Sequence, residues 1–204
     1  MHFEKGHLYH IYNQGNNHQR IFFEQENYLF FLKKLKLYVM PYADILAWCL
    51  MPNHFHLMVR VNELKLYINS EAFAGNKLRT LNQSIGVMLR SYTWAINKQE
   101  SRSGALFRQK TKAECLTCTE QITPSFYNTK EGTQIHVDHP EWEYPQVCFN
   151  YIHRNPVVAN LVQTETEWKY SSAKDYAGLR DGNLVNKTVS KQYVDIYVLP
   201  KASL

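Results

Sequence analysis

The chain has 204 residues, 45% of them hydrophobic and 20% charged, and a formal net charge of +5 with its nine histidines counted as neutral. That composition excludes a globally disordered chain and fits one domain of ordinary size with a real core. No run approaches the roughly 18 apolar residues of a membrane helix, and the opening MHFEKGHLYHIYNQG lacks the pattern of a signal peptide, so a cytoplasmic protein with no membrane partner is expected. The basic excess leans mildly toward polyanions, and the frequent tyrosines are suited to half-buried positions or to stacking on bases.

In chain order, residues 7–14 (HLYHIYNQ) alternate apolar and polar as a half-buried strand does, and Gly15-Asn16-Asn17 ends the run. From Glu26 to Val39 apolar residues recur at helical spacing with lysines on the other side, and Pro41 closes this amphipathic helix. Asp44 to Leu50 reads as a second strand and His54 to Val61 as a third, with the Met51-Pro52-Asn53 turn making them an antiparallel hairpin. Residues 69–78 read as loop. A second helix is predicted from Leu81 to Gln99, where Leu81, Ile85, Met88, Leu89, Tyr92 and Ile96 step by threes and fours down one face.

After a turn at Ser101 to Gly104, ALFRQKTKAECL reads as a basic fourth strand carrying Arg108, Lys110 and Lys112 on one side. Residues 119–144 look like an irregular insertion. A third helix is expected from Pro145 to His153, interrupted at Asn155-Pro156 and restarted briefly by VVANLV. The order strand, helix, strand, strand, helix, strand, helix predicts an α+β fold. It is the ferredoxin-like split βαβ arrangement, an antiparallel sheet with helices packed on one face and a C-terminal helical extension. One domain is expected over 1–177 with the insertion at 119–144, followed by a weakly patterned tail at 178–204.

Of the four cysteines, Cys115 and Cys118 form a CxxC that resembles half of a zinc site, but no second CxxC follows. They read instead as free thiols in a reducing compartment.

The chemistry-bearing stretch is MPNHFHLMVRV, residues 51–61. On a strand His54 and His56 point to one face and Phe55 to the other, so two imidazoles can present nitrogens to one divalent ion. The plain alternative is a polar pair on a solvated face. A histidine-triad hydrolase needs a third alternating histidine, and that position is Met58; the two-histidine phosphoesterases need His-x-Thr/Ser twice, which is absent. A His–hydrophobe–His nuclease fits the pattern as written and requires a nucleophilic tyrosine on a nearby helix.

Together with YHIYNQGNNHQRIF, RSYTWAINKQESRSGALFRQKTK, FNYIHRNPVVANLV and WKYSSAKDY, this core resembles the single-tyrosine HUH transposases, in particular the REP-associated tyrosine transposase branch. The resemblance implies that His54 and His56 hold Mg²⁺ or Mn²⁺ and that Tyr92 is the nucleophile, with cleavage and rejoining of single-stranded or hairpin DNA through a 5′-phosphotyrosine link. By spacing alone Tyr92 reads as a core ring on the apolar face of the second helix, and Tyr9, Tyr12, Tyr151 and Tyr170 read as packing or DNA-contacting rings. Relatives often place a glutamine about one turn after the tyrosine as a third ligand. Here Ile96 occupies that place, and Asn97 lies about 140° round the helix from alignment with Tyr92, a poorly placed substitute.

Arg20, Arg90, Arg108, Lys110, Lys112 and Arg154-Asn155 are candidate phosphate contacts. The resemblance allows a monomer or a homodimer. Competing readings are a replication initiator or relaxase of the same superfamily, a catalytically silent DNA- or RNA-binding module, and a structural metal-binding domain.

Overall fold

The computed structural model describes residues 1–69, 76–118, 126–129, 132–135 and 140–196. Its elements are β1 (Leu8–Gln14), α1 (Gln25–Tyr38), β2 (Ala43–Met51), β3 (His54–Val61), β4 (Lys65–Asn69), β5 (Asn76–Thr80), α2 (Leu81–Gln99), β6 (Lys112–Cys115), β7 (Phe126–Thr129), β8 (Gly132–Ile135), α3 (Pro140–Val158), α4 (Ala173–Tyr176) and α5 (Lys187–Ser190). Four strands form one antiparallel sheet in the order β2-β3-β1-β6, the ferredoxin-like order, while β4-β5 and β7-β8 are separate hairpins.

Period-two alternation divides the sheet into two faces with different covers. On one face Tyr9, Ile11, Phe55, Leu57, Val59 and Val61 pack with Phe31 and Leu35 of α1 and with Ile85, Met88 and Tyr92 of α2. On the other, Leu8, Cys49, Met51 and Met58 pack with Cys148, Phe149 and Ile152 of α3. Helices therefore flank the sheet on both sides, not on the single face expected: α1 and α2 lie on one and α3 on the other. A register shift between Ile45 and Ala47 turns both Leu46 and Ala47 toward the α3 side.

Local chemistry sets the element ends. α2 opens with a capping box in which Gln83 N donates to Thr80 Oγ1 at 3.1 Å and Thr80 N donates to Gln83 Oε1 at 2.9 Å. Gly15 ends β1 where a Cβ would collide with the Gln19 carbonyl oxygen.

The structure corrects several local readings. The basic strand is shorter than ALFRQKTKAECL: β6 begins at Lys112, and Arg108 and Lys110 lie on the segment leading into it. Part of the expected 69–78 loop is strand, since β5 begins at Asn76 and pairs with β4. Helix α3 runs unbroken through Asn155-Pro156 to Val158. Pro156 removes one N–H only a turn from the helix end, where few such bonds remain to lose. Asn160, at φ 54°, lies in the left-handed region just beyond that end.

Cys115 and Cys118 are disulfide-bonded rather than free, with Cα atoms 5.6 Å apart, well within bonding range. Cys49 and Cys148 are free and buried. Of the expected insertion, 119–125, 130–131 and 136–139 lie outside the described residues, as do 70–75 of the expected loop and 197–204 of the tail. The earlier part of the tail packs on the sheet: Leu184 and Val194 are buried, and Asn186 N donates to Ile45 O at 2.9 Å. Among the described residues no helix is long and apolar enough to cross a membrane.

Candidate active site on the α3 face of the sheet

His54 and His56 project from β3 to the α3 side, as the alternation requires, with Phe55 fully buried on the other. They line a cleft of about 360 Å³ with Tyr12, Asn13, Gln14, Arg108, Lys110, Lys112 and Tyr151. The side chains that close on the pair come from α3. Asn155 Oδ1 lies 3.1 Å from His54 Nε2, and Asn155 Nδ2 lies 3.5 Å from His56 Nε2. One helical turn earlier on the same face, the Tyr151 ring stands edge-on to His56, 5.2 Å between centroids, and is 48% exposed.

A ring of partners orients the imidazoles. His54 Nδ1 is 2.6 Å from Asn53 Oδ1, while its Nε2 faces a second amide oxygen, that of Asn155. His56 Nδ1 is 2.9 Å from Nε2 of His10, a residue of β1 that is itself buried. Beside them the Tyr12 hydroxyl donates to Glu114 Oε1 of β6 at 2.6 Å.

Burial keeps the three histidines neutral. It lowers the pKa of His54, with the Asn155 bond acting weakly the other way. It holds His56 well below the usual histidine value, reinforced by the neighbouring His10 and His54, and lowers His10 to about 4. Neutral imidazole is the form that binds metal. Neutral His54 carries one proton between two amide oxygens, Asn53 Oδ1 and Asn155 Oδ1, so one of its nitrogens meets an oxygen with no proton between them. A cation suits that arrangement. Two imidazole nitrogens and one amide oxygen form a donor set that fits Mn²⁺ better than Mg²⁺, which prefers oxygen throughout.

Tyr92 and Asn97 do not join this cluster. Tyr92 is fully buried under the opposite face of the sheet, ringed by Phe31 at 5.0 Å, Phe22 at 5.7 Å and Phe107 at 6.0 Å. Its hydroxyl donates to the Ile21 carbonyl at 2.7 Å, and burial pushes its pKa far above the ordinary phenol value. The cause is the apolar stripe of α2, which draws Tyr92 onto the Phe55 side, away from both histidines. Asn97 donates to Gly104 O at 2.9 Å and braces the turn after the helix.

Of the basic candidates, the structure gathers Arg108, Lys110 and Lys112 in the cleft. Arg154 lines a neighbouring cavity of about 500 Å³ and pairs with Glu165 at 3.7 Å. Arg20 and Arg90 are exposed and do not line the cleft. Sequence reasoning missed His10 and the placement of Tyr151, and it read Asn155 as a phosphate contact rather than as a neighbour of the histidines. The missed signal was the spacing Tyr151-x-x-x-Asn155, which sets both residues on one helical face, whereas Tyr92 and Asn97 are five apart.

The split βαβ sheet thus presents its His–hydrophobe–His strand to a helix that carries a tyrosine. No protein-family model matches the sequence, and no curated protein does. Among solved structures the chain is similar to a REP-associated tyrosine transposase bound to a REP hairpin, at 16% identity and a TM-score of 0.52, over 91% of this chain and 92% of that one. The chain has the fold of that transposase.

Proposed function

We propose that the protein is a metal-dependent DNA-strand transferase that nicks and rejoins single-stranded DNA beside a hairpin or repeat, with Tyr151 as nucleophile. One observation carries the reading: Tyr151 and Asn155, a turn apart on α3, converge on His54 and His56. It agrees with the resemblance, in which an amide side chain one turn after the tyrosine is the third ligand. The hairpin substrate is suggested by the DNA bound to the structural neighbour.

In this reading His54, His56 and Asn155 hold a divalent cation, which polarises the scissile phosphate when bound. Arg108, Lys110 and Lys112 hold the backbone in the cleft without reading bases. The Tyr151 oxygen attacks phosphorus, the P–O3′ bond breaks, and the phenolic proton is replaced on the departing 3′ oxygen by way of solvent. A 5′-phosphotyrosine ester and a free 3′-hydroxyl result. Because one phosphodiester replaces another, a second 3′-hydroxyl can reverse the exchange without ATP.

The test is a denaturant-resistant adduct with labelled hairpin-containing single-stranded DNA and Mn²⁺. Wild type and Tyr92→Phe should form it, whereas Tyr151→Phe and His56→Ala should not. An adduct that survives Tyr151→Phe removes the proposed nucleophile. DNA binding with no adduct across a panel of hairpins points instead to a silent binding module.

A further inference from the structure

A second group of ligand-type side chains lies along β1 and β6, outside the cleft. His7 precedes β1, Cys115 pairs with Tyr9 at the end of β6, and Cys118 follows one short loop later. One ligand atom from each of His7, Cys115 and Cys118 lies within 4.8 Å of the others.

Bonds that do not involve the Sγ–Sγ link hold the three in place. Leu116 N donates to Leu8 O at 2.8 Å, and Leu8 N donates to Thr117 Oγ1 at 3.0 Å. The same hydroxyl is 3.1 Å from His7 Nδ1, and Glu4 Oε2 lies 3.9 Å from His7 Nε2. Opening the disulfide therefore leaves both sulfurs and the imidazole tethered to one short stretch of paired backbone.

Two thiolates and an imidazole form a soft donor set, suited to zinc-class cations and unlike the imidazole–amide set of the cleft. We propose that reduction of the Cys115–Cys118 disulfide creates, with His7, a site for one zinc-class divalent cation, so that the outer edge of the sheet is closed by either a disulfide or a metal. Two equivalents of a monothiol cleave the Sγ–Sγ bond, giving two protein thiols and the monothiol's own disulfide; metal binding then displaces the two thiol protons. The site adjoins Glu114, which accepts a hydrogen bond from Tyr12 of the cleft, so the clamp lies next in the chain to a partner of the cleft lining.

Cobalt(II) distinguishes this site from the cleft, because only thiolate ligation gives an intense near-ultraviolet charge-transfer band. Full-length protein reduced and then freed of reductant should develop that band with one equivalent of Co²⁺ and lose it on adding Zn²⁺. The oxidised protein should not develop it. Cys115→Ser and Cys118→Ser, each left with one thiolate, should weaken the band, the double variant should abolish it, and His56→Ala should retain it. His7→Ala should weaken Zn²⁺ binding, measured by competition with a chelating dye, by more than the roughly 10–100-fold that loss of an outer-shell partner costs. If a serine variant fails to fold by circular dichroism, alkylation of the reduced wild-type thiols should abolish the band instead. The proposal is overturned by absence of the band in reduced wild type, by an undiminished band in either serine variant, by its survival in the double variant or after alkylation, or by unchanged affinity in His7→Ala.

Discussion

His10 Nε2 lies 2.9 Å from His56 Nδ1, and the two rings stack across neighbouring strands with centroids 5.1 Å apart. Asn155 Nδ2, a donor 3.5 Å from His56 Nε2, favours the tautomer in which His56 carries its proton on Nδ1 and His10 Nε2 accepts it. That tautomer, with the Nε2 lone pair toward Asn155, is the one a metal ligand needs, and His10 is placed to hold it. His10→Leu, which removes the acceptor, should weaken Mn²⁺ binding at the cleft roughly 10–100-fold, measured by electron paramagnetic resonance of the free ion. His10→Gln keeps an acceptor and should retain most of the affinity. Equal binding by wild type and His10→Leu would contradict the role.

The two tyrosines should separate by stability as cleanly as by chemistry. Tyr92 is fully buried, so Tyr92→Ala should cost about 3–5 kcal/mol, as for other large aromatic truncations. Tyr92→Phe, which leaves the Ile21 carbonyl without its donor, should cost about 1–3 kcal/mol. Tyr151 is 48% exposed, and Tyr151→Ala should stay within about 1 kcal/mol of wild type. Urea denaturation of the metal-free protein checks the order.

Acid should destabilise the fold before its carboxylates titrate. His153 is buried, with Nε2 2.7 Å from Ser172 Oγ, and burial lowers its pKa to about 3; burial lowers that of His10 to about 4. In the unfolded chain each titrates near 6.5. Between those values the unfolded state binds protons that the folded state does not, so stability is full above about pH 6.5 and falls as pH drops. By pH 5 each group removes about 2 kcal/mol. Thermal melts of metal-free protein between about pH 7.5 and pH 5 should show a falling Tm, and His153→Gln should flatten that slope. A profile unchanged by His153→Gln would reject the assignment.

Salt dependence should show which cations touch the strand. Each lost phosphate contact flattens the plot of log affinity against log salt by about 0.7 for single-stranded DNA. Lys110→Ala and Lys112→Ala together should therefore flatten it by about 1.4, read by fluorescence anisotropy across a salt series. Arg90→Ala, outside the cleft, should leave the slope unchanged.

What was readable in advance is what depends on neighbours along the chain. Alternation in MPNHFHLMVRV is enough to place His54 and His56 on one face, and the 3.6-residue period is enough to place Tyr92 on the apolar stripe of α2. The succession of elements likewise implies the ferredoxin-like order. The interruption expected at Asn155-Pro156 failed because a proline that removes one hydrogen bond near a helix end does not stop the helix when Ile152 and His153 are buried just before it.

The sequence by itself determined that two imidazoles share one side of a strand anchored by Phe55, Leu57 and Val59. It did not determine which helix lies over them. Helices α2 and α3 each carry a tyrosine followed within five residues by an asparagine, and periodicity describes a helix's own faces, not the side of the sheet on which it packs. Tertiary packing decided that: α2 buries its stripe against Phe55, and α3 buries Cys148, Phe149 and Ile152 against the histidine side. Tyr151 and Asn155 thereby meet His54 and His56, and Tyr92 becomes part of the core.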